Sequence, residues 1–227
     1  CAMLEIKIGL REMDKRFRAE GWAGRQPGTS LHHEEIRNRT VGIIGYGHIG
    51  KEIAKRAAAF DMRIIAIRRS QQDAVAPLDW IGTADQLDVL LSESDFVVVA
   101  CDMNEETIGM IDAPQIAKMK PSGIIINVAR GRIIAEEALY NALKNKKIGG
   151  AVLDVWYNYI GNDQEEVSPS NLPFEQLDNV ILSAHESASA PEQVERRWKF
   201  VAENICRATE GETPENIVFV GSEKAAD

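Results

Sequence analysis

The sequence predicts an α/β fold, a doubly wound parallel sheet with helices on both faces. Three observations predict it. Short apolar runs alternate with segments of helical spacing, a glycine-rich turn follows the first of these runs, and the run at 95–100 is almost entirely apolar and rich in valine. Runs of that last kind are typical of strands buried on both faces, which is the situation when helices cover both sides of a parallel sheet.

The elements follow in chain order. An amphipathic helix is predicted over 3–22, and a loop rich in glycine and proline ends it by residue 28. A first half with the alternation βαβαβ comes next, and a second half continues the alternation of strands and helices. Strands are predicted at 39–45, 62–67, 95–100, 124–128, 150–155 and 180–183, helices at 48–60, 84–91, 136–145 and 191–211, and a long polar loop between 157 and 176.

Composition and charge narrow the classes of partner. The chain has 26 Lys and Arg against 35 Asp and Glu, a net charge of −9, which argues against nucleic acid or an anionic membrane as the main partner. Cys1, Cys101 and Cys206 lack the spacing of a metal site or a disulfide framework, so we expect a reducing cytoplasm and no metal. No apolar run approaches the ~20 residues that a membrane helix needs.

The glycine-rich turn predicts a Rossmann-type dinucleotide site. It lies between a strand and a helix, the context that makes a GxGxxG pattern informative. Gly45 permits the sharp turn, Gly47 lets the backbone approach a pyrophosphate, and Gly50 allows close packing of helix on strand. The alternative is a plain glycine turn. The predicted phosphate-binding residues are Gly45, Tyr46, Gly47, His48, Ile49 and Gly50, although His48 could also be a plain helix-start residue.

The end of the second strand bears on the choice of cofactor. An acid there would bond the ribose 2′-OH of NAD, whereas an arginine accommodates the 2′-phosphate of NADP. Arg68, Arg69 and Ser70 occupy that place and no acid stands at the strand end, so NADP is favoured and NAD stays possible. The alternative is a solvated basic edge.

Four further segments, in order, carry a resemblance to a known family. They read EETIGMI at 105–111, MKPSGIIINVARG at 119–131, GGAVLDVW at 149–156 and NVILSAH at 179–185. The chain closely resembles the D-isomer-specific 2-hydroxyacid dehydrogenases over roughly 22–211. That family inserts a cofactor domain into a substrate domain. The resemblance implies a leading helix at 1–22, a dinucleotide-binding domain at 23–187 and a return to the substrate domain at 188–227, with the first part of the substrate domain absent.

The resemblance also implies roles for named residues. Arg130 would hold the carboxylate of a small 2-keto or 2-hydroxy acid, and His185 would exchange a proton with its 2-oxygen during hydride transfer. These chemistries suit a forked permanent cation and a group that titrates near neutrality. The other residues implied or placed at the cofactor are Cys101, Thr107, Val128, Ala129 and Asp154. Asp154 could instead be a buried structural acid, and Cys101 a small packing residue.

One departure from the family opens an alternative function. A glutamate usually bonds the histidine, but the best-aligned position here is Tyr159, and Asp163, Glu165 and Glu166 belong to a loop that could fold back. An imidazolium without that carboxylate is less stabilised, so we expect a reductase that works best on the acid side. The alternative is a dinucleotide-sensing interaction protein of the corepressor type.

The apolar stripe of the 3–22 helix also predicts a homodimer.

Overall fold

A computed structural model describes residues 1–24, 33–159 and 167–217 of the chain. The chain divides into two compact units, Cys1–His185 and Glu186–Asp227. The first unit contains strands β1 (Thr40–Ile44), β2 (Arg63–Ile67), β3 (Trp80–Gly82), β4 (Phe96–Val99), β5 (Ile124–Asn127), β6 (Gly150–Leu153) and β7 (Val180–Leu182). Its helices are α1 (Ala2–Ile8), α2 (Leu10–Glu20), α3 (His48–Ala58), α4 (Leu87–Glu93), α5 (Ala113–Ile116) and α6 (Glu136–Lys144), and the second unit holds α7 (Pro191–Thr209).

All seven strands form one parallel sheet in the order β3-β2-β1-β4-β5-β6-β7. The chain runs outward from β1 to β3, then returns to the other side of β1 and runs outward from β4 to β7. The order therefore reverses between β1 and β4, and a crevice outside the carboxyl ends of strands at such a reversal is where open α/β sheets bind ligands. The predicted Rossmann-type α/β fold is confirmed.

The core lies in two layers, one on each face of the sheet. In β4, Phe96 and Val98 belong to one layer while Val97 and Val99 belong to the other, as the alternation of side chains along a strand requires. Helices α1 and α3 cover the first layer, and α4, α5 and α6 cover the second. Both faces of the sheet are buried at β4, which explains why this strand is apolar at every position.

The single helix predicted over 3–22 is wrong in one respect, because the chain forms two helices there. Gly9 separates α1 from α2 in a left-handed conformation, φ +68°, and its N–H bonds the carbonyl of Glu5 as a C-cap. A short 3-10 turn at Gly21–Gly24 follows α2. The two helices also differ in environment, since Met3 and Ile6 of α1 pack against the core whereas Leu10 and Phe17 of α2 are exposed.

Two short elements were not predicted. Strand β3 has three residues, too few to show a periodic pattern, and it is defined by its pairing with β2. Helix α5 has four residues, although Asp112 and Gln115 form a capping box at its start that the sequence displays. The segment at 84–86 is a 3-10 turn leading into α4. Helix α4 therefore begins three residues after its predicted start at 84, and the remaining predicted strands and helices begin and end within two residues of their predicted bounds.

No helix among the described residues is long and apolar enough to cross a membrane. Within the same part of the chain, no three His, Cys, Asp or Glu side chains are grouped so that they could hold a metal ion. Residues 160–166, which include the acids of the long loop, lie outside the described ranges.

Candidate active site

The predicted site residues follow the carboxyl ends of six of the parallel strands. Because parallel strands end at the same edge of a sheet, these residues share that edge. Gly45 follows β1, Arg68 follows β2, Cys101 follows β4, Val128 to Arg130 follow β5, Asp154 follows β6 and His185 follows β7. Fold topology thus gathers on one edge positions that lie up to 140 residues apart in the sequence, 45 to 185.

The first and last glycines of the turn are required by the protein's own packing. Gly45 has φ +102°, and a Cβ atom on it would lie 2.5 Å from the backbone nitrogen of Cys101. A Cβ atom on Gly50 would lie 2.3 Å from the carbonyl oxygen of Gly45. Both distances are far inside contact, so no side chain fits at either position. These two glycines bring β1, β4 and the start of α3 together.

Gly47 differs from both, because nothing in the described chain requires it to be glycine. A Cβ atom there would meet no heavy atom of the described residues within 4 Å, and its φ of −90° suits any residue. No side chain in the described part of the chain caps α3, and no acid stands in its first turn, so the backbone N–H groups at its exposed start can bond an anion. The turn therefore has the shape and polarity that a pyrophosphate needs.

The side chains of the turn point to different environments. Tyr46 is buried in the core, and burial raises the pKa of its hydroxyl above the ordinary value. His48 is exposed and Ile49 is 57% exposed. A dinucleotide could therefore meet the backbone of Tyr46 and the side chains of His48 and Ile49.

The end of β2 presents two cations. Arg68 is half-buried, its N–H bonds the carbonyl of Gly82, and its guanidinium donates to the side-chain amide oxygen of Gln72. Arg69 and Ser70 are exposed. Among the described residues neither arginine forms an ion pair with a carboxylate, so both charges are available to an anionic group such as a ribose phosphate.

The segment after β4 contributes a half-buried thiol and a folded turn. Burial raises the pKa of the Cys101 thiol to about 11, so the group is neutral at physiological pH. The Thr107 hydroxyl donates to the carbonyl of Asp102 at 2.7 Å and accepts from the N–H of Asn104 at 2.8 Å. Thr107 thus fixes the turn that follows the strand.

Asn127 shapes the loop that carries Arg130. Its side chain is 1% exposed, accepts a bond from the N–H of Ala129 at 3.1 Å and donates to the carbonyl of Arg130 at 3.0 Å. Gly131 then lets the loop lie against the carbonyl of Trp156, because a Cβ atom there would be 2.2 Å from that oxygen. Sequence reasoning missed Asn127, although an amide at the end of an apolar strand is a visible cue.

Arg130 itself is exposed at the edge of the sheet. Its guanidinium donates one bond, 2.7 Å, to the carbonyl of Ala129, which leaves most of its five N–H donors unused by this contact. No ion pair with a carboxylate is formed by it in the part of the chain that the structure describes. The site therefore holds a positive charge in fork geometry that a ligand carboxylate could neutralise.

His185 has an unusual backbone and an aromatic neighbour. Its φ is +58°, a left-handed conformation that non-glycine residues seldom adopt and that clusters at functional sites. The ring of Tyr159 lies edge-on to the imidazole, with 5.5 Å between ring centroids and 62° between the planes. Among the described residues of the first unit, no carboxylate forms an ion pair with His185.

Ser183 connects the end of β7 with the end of β6. Its hydroxyl donates to the carboxylate of Asp154 at 2.6 Å, and its carbonyl accepts a 2.8 Å bond from the indole N–H of Trp156. Asp154 is 4% exposed, so Ser183 helps to solvate a buried carboxylate. Sequence reasoning did not single out Ser183, since its partners lie 27 and 29 residues away.

Strand order relates the three parts of the site. The strand that ends before Arg130, β5, lies two places from β1 with its glycine turn and two places from β7, which leads to His185. At the usual strand spacing each separation is about 10 Å. The strand that leads to the Arg130 cation thus lies between the strand with the glycine turn and the strand that leads to the His185 imidazole.

The class defined in this way agrees with a known family. The model of the D-isomer specific 2-hydroxyacid dehydrogenase NAD-binding domain matches residues 1–187. The chain belongs to the D-isomer specific 2-hydroxyacid dehydrogenase family.

Individual relatives are similar over most of this chain. A glyoxylate reductase of Korarchaeum cryptofilum is 35% identical over 210 residues, 91% of this chain and 60% of the relative. A D-3-phosphoglycerate dehydrogenase of Methanocaldococcus jannaschii is 39% identical over 184 residues, 81% of this chain and 34% of the relative. The crystal structure of an NADPH-dependent glyoxylate/hydroxypyruvate reductase of Sinorhizobium meliloti with NADP and sulfate matches with TM-score 0.70 and 27% identity, covering 92% of this chain and 65% of that one. The chain therefore spans less than two thirds of each.

Proposed function

We propose that the protein is an NAD(P)-dependent oxidoreductase that interconverts a small 2-keto acid and its 2-hydroxy acid. The observation that supports it best is the shared edge of the sheet, where the glycine turn, the exposed guanidinium of Arg130 and the imidazole of His185 all lie. Each group matches one requirement of the reaction: a place for pyrophosphate, a clamp for carboxylate and a proton donor for the nascent alkoxide.

The residues have distinct roles in the reduction. Arg130 binds the substrate carboxylate and polarises the 2-oxygen, and His185 transfers a proton to that oxygen. The bound nicotinamide supplies the hydride to the 2-carbon. Val128 and Ala129 would line the nicotinamide ribose, Asp154 would face the carboxamide, and Cys101 and Thr107 would lie on the adenosine side. In the oxidation, His185 accepts the proton instead, because the same group serves both directions.

NADP is the preferred cofactor in this proposal. The support is that Arg68, Arg69 and Ser70 follow β2 with no acid among them and no carboxylate paired to the guanidinium groups in the described chain. A dianionic 2′-phosphate suits that set, whereas the 2′-OH of NAD finds no acceptor carboxylate there. Arg68→Gln with Arg69→Gln should weaken NADPH binding at least tenfold and leave NADH binding nearly unchanged, measured by nicotinamide fluorescence.

The substrate proposal is tested by turnover. The full-length protein is mixed with NADPH or NADH and with glyoxylate, hydroxypyruvate, pyruvate or larger 2-keto acids while the absorbance of the reduced nicotinamide is followed. Turnover should fall at least a hundredfold in Arg130→Ala, and Arg130→Lys should recover little, since Lys lacks the fork. Tight cofactor binding without turnover of any of these acids would contradict the proposal. No observation on the structure favours the corepressor alternative.

A homodimer is part of the proposal. Leu10, Phe17 and Trp22 are 63%, 56% and 75% exposed, and the last two rings pack edge to face, 6.1 Å apart. Exposed apolar groups so close together suit contact with a second copy. Sedimentation of Phe17→Glu should show a shift towards monomer.

The free thiols of Cys1, Cys101 and Cys206 suit a reducing compartment such as the cytoplasm.

A further inference from the structure

The imidazole of His185 needs a fixed orientation if it is to transfer a proton. Contacts with other residues must hold the ring. The residue is exposed and follows β7 by three positions. Within the first unit, the described residues give its ring no ion-pair partner. The contact that the structure does give the ring is the edge-on one with Tyr159, at a separation inside the 4.5–7 Å range of favourable aromatic pairs.

Tyr159 is itself held in place. Its hydroxyl oxygen accepts a 3.1 Å bond from the backbone N–H of Trp156, so the ring is attached at its far end to a residue that is only 8% exposed. The indole of Trp156 packs edge to face on the fully buried Phe174, with 6.3 Å between centroids. An exposed ring would ordinarily rotate freely, but this one is tied to the core.

The same tryptophan also bonds the chain segment that leads to His185. Its indole N–H bonds the carbonyl of Ser183, two residues before His185. Trp156 thus forms two bonds around His185, which together with the ring contact make a closed circuit. Its indole N–H holds the chain segment of His185 through Ser183, and its backbone N–H holds Tyr159, whose ring contacts the imidazole. Every contact in this circuit is between uncharged groups.

We propose that Tyr159 is a positioning residue for His185, holding the imidazole by an aromatic contact that is itself tethered through the Tyr159 hydroxyl. The inference rests on the proposed role of His185 as the proton donor. A misplaced catalytic group can cost up to about a hundredfold in rate, so removal of the ring should lower kcat measurably without removing a group that touches substrate. The hydroxyl serves only to anchor the ring.

The test compares Tyr159→Ala and Tyr159→Phe with Tyr157→Phe as the matched control. The Tyr157→Phe variant also loses a tyrosine hydroxyl, two residues earlier in the chain. The ring of Tyr157 is stacked on Phe174, with 6.3 Å between centroids. We expect kcat for glyoxylate with NADPH to fall about tenfold or more in Tyr159→Ala, with KM and the cofactor Kd within about twofold. Tyr159→Phe, which keeps the ring and loses the tether, should fall less, and Tyr157→Phe should match the parent.

A second readout does not depend on activity. The imidazole proton resonances of His185, assigned by their loss in His185→Asn, should shift when the Tyr159 ring is removed and should stay in place in Tyr157→Phe. Unchanged resonances in Tyr159→Ala, or parental kcat in that variant, would overturn the inference. A parent protein that binds cofactor and reduces none of the acids would instead overturn the proposed function, and the resonances would still decide whether the contact exists.

Discussion

The glycine turn after β1 and the paired loops after β6 and β7 are built in opposite ways. The turn is a backbone structure, in which Gly45 and Gly50 are demanded by close approach of main-chain atoms. The loops are joined by side chains, because Ser183 bonds Asp154, Trp156 bonds Ser183 and Tyr159 contacts His185. A substitution of Gly45 or Gly50 should therefore act on folding, and one in the loops after β6 and β7 mainly on the reaction.

The sharpest test of that contrast is His185→Asn. Asn tolerates the left-handed conformation at this position, so the free energy of unfolding should change by less than about 0.5 kcal/mol. Loss of the proton donor should lower kcat by about 10²- to 10⁴-fold. Stopped-flow or steady-state reduction of glyoxylate measures the rate, and chemical denaturation measures the stability. Near-parental kcat would remove His185 from the mechanism.

Two substitutions separate packing from ligand binding in the glycine turn. Gly45→Ala places a Cβ atom against the backbone of Cys101 at positive φ and should lower the free energy of unfolding by about 3 kcal/mol. Gly47→Ala meets open space, so its unfolding free energy should change by less than about 1 kcal/mol. NADPH binding should nonetheless weaken in Gly47→Ala. Equal stability losses in the two variants, by urea unfolding, would contradict the distinction.

Asn127 offers an intermediate case, a side chain that supports a loop. Asn127→Asp replaces the donor to the Arg130 carbonyl with an oxygen and should cost about 1–3 kcal/mol of stability. The loop that carries Arg130 should also lose its shape, which lowers kcat/KM for the keto acid.

Asn179→Asp is the matched control for Asn127→Asp. The Asn179 side chain also donates to a backbone carbonyl, that of Leu143, but it stands at the amino end of β7, away from the site. Stability should fall there while kcat/KM of the folded protein stays parental. An equal loss of kcat/KM in both variants would show that Asn127 acts only through global stability.

The smallest effect concerns the thiol beneath the glycine turn. Burial raises the pKa of Cys101 from 9.0 to about 11, so thiolate is scarce below that pH. A group with a raised folded-state pKa favours folding fully below its unfolded pKa, and that contribution is lost as the pH rises through about 11. In a variant with Cys1 and Cys206 changed to Ser, iodoacetamide labelling should accelerate up to about pH 11. A plateau near pH 9 would contradict the burial.

The sequence predicted the fold because its cues are local. The GxGxxG turn, the valine-rich β4 and the helical spacing of α6 each lie within a dozen residues, where strand and helix periods can be distinguished. The break at Gly9 was missed because an amphipathic pattern continues on both sides of it. Strand β3 was missed because three residues carry no period. Arg130 and His185 were predicted only because whole motifs resembled those of a family.

The sequence by itself determined the alternation of strands and helices, the glycine turn and the residue types that stand at the strand ends. Tertiary structure alone decided which of them meet: that Gly47 faces open space, that Asn127 holds the Arg130 loop, and that Tyr159 reaches His185. The reason is physical. Backbone preferences are set by near neighbours in the chain, whereas side-chain contacts between loops depend on the order and spacing of strands in the sheet.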